Sequence, residues 1–209
     1  MSSISALDVL DWRRRVHALY AAVRDESEAD PAGAHEQWVA GRDELVRTHP
    51  ASPVPPERRA GFAGLRHAPY DAALRFVLPV DPDVEPRRLE VPTATDGVVP
   101  FVLAGRLHLP LGDLDVWWLD SYGGGVFVPV KDASAGRATY GGGRYLLDTV
   151  KGADLGGSVH DALVVDLNFA YNPSCAYDPA WTCPLAPPGN TLDVDVAAGE
   201  FVPPTGSGE

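Results

Sequence analysis

The sequence predicts a mainly β protein: an antiparallel β-barrel or β-sandwich with two N-terminal α-helices. Three observations lead there. Residues 4–48 carry apolar side chains at spacings of three and four, the period of an amphipathic helix. Residues 65–197 break into short segments rich in Val, Leu, Phe, Tyr and Trp, bounded by Gly, Pro and Asp, as antiparallel strands are. Two proline-rich stretches, one before the second region and one within it, can form neither helix nor central strand.

The first helix is expected over residues 4–26. Trp12, Val16, Leu19, Tyr20 and Val23 form its apolar stripe, while Arg13, Arg14, Asp25 and Glu26 occupy other faces. A second helix starts at Asp30-Pro31: Asp30 can cap the free N–H groups, and proline suits the first helical position. Trp38 and Leu45 mark its buried face, and Pro50 stops it. The connector "HPASPVPPERR" (His49 to Arg59) reads as extended chain over a surface. Two helices of this size cannot bury a core alone. The expected organisation is therefore residues 1–59 as helices and connector packed on the main domain, 60–200 as the β domain, and 201–209 as a flexible tail.

Eight segments read as strands: "AALRFVLPV", "RRLEVPTAT", "VPFVLAGRLHLPL", "LDVWWLDSY", "GVFVPVKD", "GRYLLDTV", "DALVVDLNF" and "TLDVDVA". In the last, Leu192, Val194 and Val196 alternate with Asp193 and Asp195, a period of two. Trp117 and Trp118 fall on opposite faces of one strand, so one of them enters the core.

The 209 residues hold 17 Lys and Arg against 29 Asp and Glu, a net charge of -12. That balance repels phosphate backbones and argues against nucleic acid as a partner. Its plainest reading is solubility. No apolar run approaches the roughly 20 residues of a spanning helix. The N-terminal arginines follow the apolar residues, the reverse of a signal peptide. No membrane association and a cytoplasmic location are the expectations.

The chemistry-bearing residues concentrate in two segments. "DLNFAYNPSCAYDPAWTCPLAPPGN" (Asp166 to Asn190) holds both cysteines, Cys175 and Cys183. A C-x7-C spacing without a second pair or spaced histidines is not a zinc site, so no metal is expected. The thiols can be buried packing groups, a disulfide, or a nucleophile, the last needing a nearby base. Placed on a strand, Asp166 and Asn168 share one face, opposite Val165, Leu167 and Phe169. They either line a polar site or brace the proline-rich coil, whose backbone cannot pair with itself. Tyr171 and Asn172 follow in a turn, with Pro173 holding Asn172 extended.

The second segment, "KDASAGRATYGGGRY", offers Asp132, Ser134, Thr139, Tyr140 and Arg144. Asp-x-Ser reads as an Asx-type turn between strands. It is no phosphate loop, because no Gly-Lys-Ser/Thr follows and a strand comes next. Arg144 can clamp a carboxylate or phosphate, or pair internally with Asp132 or Asp166. None of the six histidines shows ligand spacing, and Glu200 can act as an acid or base or pair with an arginine.

The run "VPVKDASAGRATYGGGRYLLD" (Val128 to Asp148), then "VVDLNFAYNPSCAYDPAWTCPLAPPGNTL" (Val164 to Leu192) and "AGE" (Ala198 to Glu200), resembles the bacterial family named domain of unknown function 1684. The entry segment "HPASPVPPERRAGFAGLRHAPYD" (His49 to Asp71) is similar too, so the likeness spans roughly residues 36 to 200. His67 and Ala68 depart from the family's usual aromatic pair, and Gly189 stands where a glutamate is usual. The resemblance implies a shared fold but no activity.

Three functional readings stand open. The leading one is a small-molecule binding module with a polar pocket under the proline-rich loop. Its wall would come from Asp132, Arg144, Asp166, Asn168, Tyr171 and Asn172, with Tyr140, Tyr177 and Cys175 beside them. The second is a hydrolase or transferase using Cys175 or a carboxylate. The third is a structural or protein-interaction domain. No cofactor is implied, and the oligomeric state is open.

Overall fold

The computed structural model describes residues 4–93, 97–158 and 162–203. Helix α1 (Ala6–Ser27) opens with a capping box: Ser5 Oγ accepts the Asp8 N–H at 3.1 Å, and the Asp8 carboxylate accepts the Ser5 N–H at 2.8 Å. Helix α2 (Pro31–Thr48) starts as expected, with the Asp30 side chain accepting the Gly33 N–H at 3.0 Å. A single helical turn, α3 (Pro56–Arg59), lies in the connector.

The chain is mainly β, with two antiparallel sheets. Strands β2 (Arg88–Thr93), β3 (Gly97–Leu109), β4 (Gly112–Leu119), β5 (Val126–Val130) and β6 (Arg144–Asp148) form a meander in chain order. Strands β1 (Arg75–Leu78), β8 (Ala162–Asp166) and β7 (Gly157–Ser158) form the second sheet, in the order β1-β8-β7. Isolated bridges tie the sheets at two seams, Asp81 to Arg106 and Tyr145 to Tyr171. Neither seam is a continuous ladder, so among the described residues no closed barrel forms. At the first seam β3 bulges between Leu103 and Gly105. Gly105 is needed there because a Cβ would lie 2.7 Å from the Asp81 carbonyl oxygen.

Tyr20, Val23, Ala34 and Trp38 of the helices share one core with Leu107, Leu114, Val128, Leu146, Val165 and Phe169. A smaller cluster gathers Phe101, Trp117, Phe127 and Tyr145. Trp117 is buried and Trp118 is exposed, as their opposite faces require. No helix among the described residues is long and apolar enough to cross a membrane.

Seven of the eight expected strands exist, and two expectations need correction. "TLDVDVA" is not a strand. Only Thr191 bridges, to Lys131, and the chain bends at Asp193. Leu192 and Val194 still exchange backbone hydrogen bonds with Lys131 and Ala133, but the Val196 carbonyl turns to the Arg144 guanidinium, as does that of Ala198 just beyond the segment. Asn168 is not on a strand either. β8 ends at Asp166, whose carboxylate accepts the Asn168 N–H at 3.0 Å and caps a 3-10 turn over Leu167–Phe169. The two-residue β7 carries no apolar side chain and leaves no pattern to read. Phe201 and Val202 donate backbone hydrogen bonds to Arg66 and Ala138. The rest of the expected tail, from 204 on, and His160 lie outside the described residues.

Candidate functional site

The segment after β8 returns across the molecule as an irregular coil, and buried polar side chains hold it there. Asn190 is fully buried and satisfied. Its Nδ2 donates to the carbonyls of Asp115 (2.8 Å) and Pro129 (2.9 Å), and its Oδ1 accepts from Trp117 Nε1 (3.0 Å). Tyr145 Oη donates to the Pro184 carbonyl at 2.7 Å. The Asn190 contacts pin the coil to β4 and β5, and Tyr145 supplies a partner that the proline-rich backbone cannot supply for itself.

The residues expected to share one pocket fall into separate groups. Arg144 and Asp132 form the first. Arg144 has no exposure; its Nη2 donates to Asp132 Oδ2 at 2.9 Å, and its Nη1 donates to the carbonyls of Ala198 and Glu200. Asp132 also accepts from Ser134 Oγ (2.5 Å) and Thr139 Oγ1 (2.9 Å). Burial depresses the Arg144 pKa, and Asp132 works against that depression. For Asp132 burial raises the pKa, but the Ser134 bond and the Arg144 charge outweigh it and hold the carboxyl low. The group is internally paired, with only Arg144 Nε left without a partner.

Asp166 and Asn168 form the second group. Asn168 Nδ2 donates to Asp166 Oδ1 (2.7 Å) and to the Asp71 carbonyl (2.8 Å), while its Oδ1 accepts the Asp71 N–H (2.9 Å). This stitches the entry segment to the end of β8. Burial raises the Asp166 pKa.

The third group surrounds Glu200, which is fully buried. Arg42 of α2 meets it through Nε at 2.6 Å and Nη2 at 3.3 Å. The Asn172 N–H (2.5 Å) and Tyr177 Oη (3.0 Å) donate to the same carboxylate, and His67 Nε2 lies 3.5 Å away. Burial raises the Glu200 pKa, but Arg42 and His67 overcome it and hold the carboxyl down at about 2. The Arg42 guanidinium stacks on the Tyr171 ring at 4.5 Å.

Arg42 also borders an open space. A half-enclosed cavity of about 80 Å³ lies between α1 and the proline-rich coil. Arg42, Tyr20, Tyr145, Tyr171, Asp148 and Lys151 form its polar wall, and Trp12, Val16, Pro53 and Pro173 its apolar one. Arg42 Nη1 has no hydrogen-bond partner among the described residues, nor has Tyr171 Oη. Lys151 sits at the rim, its side chain 55% exposed, with Nζ 3.3 Å from Asp148 Oδ2.

The two cysteines lie at the edge of this cavity. Both are free and half-buried, and Cys183 forms part of the wall. The Cys175 N–H donates to Cys183 Sγ at 3.4 Å, and Tyr140 Oη lies 3.6 Å from Cys175 Sγ. The hydrogen bond from Cys183 pulls the Cys175 pKa down to about 6, while the Cys183 thiol is pushed up.

Of the nine expected site residues, Tyr171 and Asn172 line the cavity, and Cys175 and Tyr140 meet beside it. Tyr177 lies behind, on Glu200. Asp132, Arg144, Asp166 and Asn168 are engaged elsewhere. Arg42, Lys151, Tyr20 and Tyr145 were missed. One signal for Arg42 was present: it sits between Trp38 and Leu45 at spacings of four and three, a cation inside an apolar stripe. Among the described residues no group of three or more His, Cys, Asp or Glu could hold a metal ion.

The model of a family described as protein of unknown function (DUF1684) matches residues 60–201. No curated protein matches the chain. Five solved chains do. Among them is the solution NMR structure of an uncharacterized protein of Haloarcula marismortui, 30% identical, with a TM-score of 0.60 over 85% of this chain and 97% of that one. The chain belongs to the DUF1684 family.

Proposed function

We propose that this family member binds a small carboxylate in the cavity between α1 and the proline-rich coil. The architecture reads as a barrel left open at the Tyr145–Tyr171 seam, and the cavity lies at that opening. One observation carries the proposal: Arg42 lines the cavity and is fixed by Glu200 through Nε and Nη2, with Nη1 left unshared. A guanidinium held in this way is preorganised for an anion. Lys151 at the rim adds a second positive group, and Tyr171 Oη a free donor. The apolar wall of Trp12, Val16 and Pro173 suits a short carbon stem. At about 80 Å³ the space is below the several hundred Å³ of pockets for drug-sized ligands, so the reading is a molecule of a few heavy atoms.

The test is titration calorimetry with acetate, pyruvate, succinate and alanine, on the wild type and on Ser174→Trp, which plugs the cavity. Saturable binding by the wild type to at least one probe, abolished in the plugged variant, is expected. Equal binding by both proteins, or none by the wild type, would remove the proposal.

A further inference from the structure

We propose that Cys175 and Cys183 form a reactive dithiol that exchanges with small disulfides, Cys175 attacking and Cys183 closing the bridge. The geometry stands independently of any ligand in the cavity. The two residues meet through the hydrogen bond from the Cys175 N–H to Cys183 Sγ at 3.4 Å. Both sulfurs are held close to fixed points. Cys175 sits in a 3-10 turn closed by the Ala176 and Tyr177 N–H groups on the carbonyls of Pro173 and Ser174. Cys183 precedes Pro184, whose carbonyl is held by Tyr145 Oη. Neither thiol is sealed in the core, so a small reagent can reach the pair.

The surroundings divide the roles. The groups facing the pair are Tyr145, on the Cys183 side, and two that act on Cys175: Tyr140, whose hydroxyl lies 3.6 Å from Cys175 Sγ, and the ammonium of Lys151. Both favour a thiolate at Cys175. Cys183 keeps its proton and donates it toward that thiolate. An attacking thiol is most effective when it ionises near ambient pH, and its partner then resolves the adduct.

The steps balance as follows. The Cys175 thiolate attacks one sulfur of RSSR; the Cys175–S–SR bond forms, the S–S bond of RSSR breaks, and RS⁻ leaves. RS⁻ takes the Cys183 proton. The new Cys183 thiolate attacks Cys175 Sγ, the protein disulfide forms, and a second RS⁻ leaves and takes a proton from water. Counted from the dithiol, whose Cys175 proton went to water on ionisation, the protein loses two electrons and two protons, and RSSR is reduced to two RSH. The bridge closes a loop within the coil, and Cys183 is part of the cavity wall.

Oxidised glutathione is the probe, with intact mass and peptide mapping as the readout on the full chain. The wild type is expected to form the Cys175–Cys183 disulfide with no retained glutathione. Cys183→Ser should stop at one glutathione on Cys175. A wild type that keeps glutathione on both cysteines, or an adduct found first on Cys183, overturns the proposal. A measurement on the unmutated protein guards against misfolded variants: alkylation followed against pH. Cys175 should label with a midpoint near pH 6 and about tenfold faster than Cys183 at neutral pH. Equal rates, or faster labelling of Cys183, overturn it as well.

Discussion

Two arginines divide this molecule into a finished region and an unfinished one. Arg144 uses both terminal nitrogens on Asp132 and on the carbonyls of residues 196–200. Arg42 makes an equally close pair with Glu200, yet one terminal nitrogen stays unshared beside a cavity. Burial opposes both charges. At Arg144 it wins and the pKa falls, whereas at Arg42 the Glu200 carboxylate outweighs it and the pKa rises. The lesson is that residue type does not mark a site. A charge that spends both terminal nitrogens on the protein holds the fold, and one that leaves a terminal nitrogen unshared can receive a ligand.

The largest expected effect comes from breaking the finished region. Arg144→Met leaves Asp132 buried without its cation and frees the carbonyls of Val196 and Ala198. Urea unfolding at neutral pH should show a loss of about 3–5 kcal/mol. Adding Asp132→Leu should recover part of it, because both buried charges are then gone. A loss below about 1 kcal/mol would mean that the pair is wet and that the contrast between the arginines fails.

Glu200 sharpens the comparison through pH. Its carboxyl titrates at about 2 in the folded chain against an ordinary 4.5. A folded value below the unfolded one adds stability above pH 4.5, and that stability is lost as pH falls toward 2. The difference corresponds to about 3 kcal/mol. Acid unfolding of the wild type should therefore steepen over that window. Glu200→Gln should be less stable at neutral pH and lack this component of the acid slope. Matching acid profiles for the two proteins would detach Arg42 from Glu200 and leave nothing to preorganise the cavity.

Much of the scaffold was legible because it is local. The apolar stripes of α1 and α2, the Asp30-Pro31 start and the strand segments each show within a few residues. So did the need of the proline-rich coil for polar partners, which Glu200 gives to the Asn172 N–H and Tyr145 to the Pro184 carbonyl. The site was not legible in the same way. Arg42 and Glu200 lie 158 positions apart, and only the docking of α2 on the returning coil joins them. Lys151 and Tyr20 carry no local signature of a cavity wall. "TLDVDVA" misled for a related reason: its alternation is real, but the Val196 carbonyl is taken by Arg144 from another strand. Asp132 and Arg144, twelve positions apart, were the reverse case, and their internal pairing was one of two readings the sequence left open.

The smallest effect on stability belongs to Lys151, and for that reason it discriminates best. Its side chain is more than half exposed, although its partner Asp148 is buried. Lys151→Ala should cost about 1 kcal/mol of unfolding stability, well below the loss in Arg144→Met. If the cavity takes a carboxylate, the same change removes one of the two cations along its wall. Affinity for the best carboxylate probe should then fall by about tenfold, with the melting temperature of the free protein only slightly lower. Arg144→Met should do the opposite, lowering the melting temperature while the protein that remains folded binds normally. Equal affinities for wild type and Lys151→Ala would take the rim out of recognition and leave Arg42 as the sole anchor. A large stability loss in Lys151→Ala would move Lys151 into the finished region, and the division between the two regions would have to be drawn elsewhere.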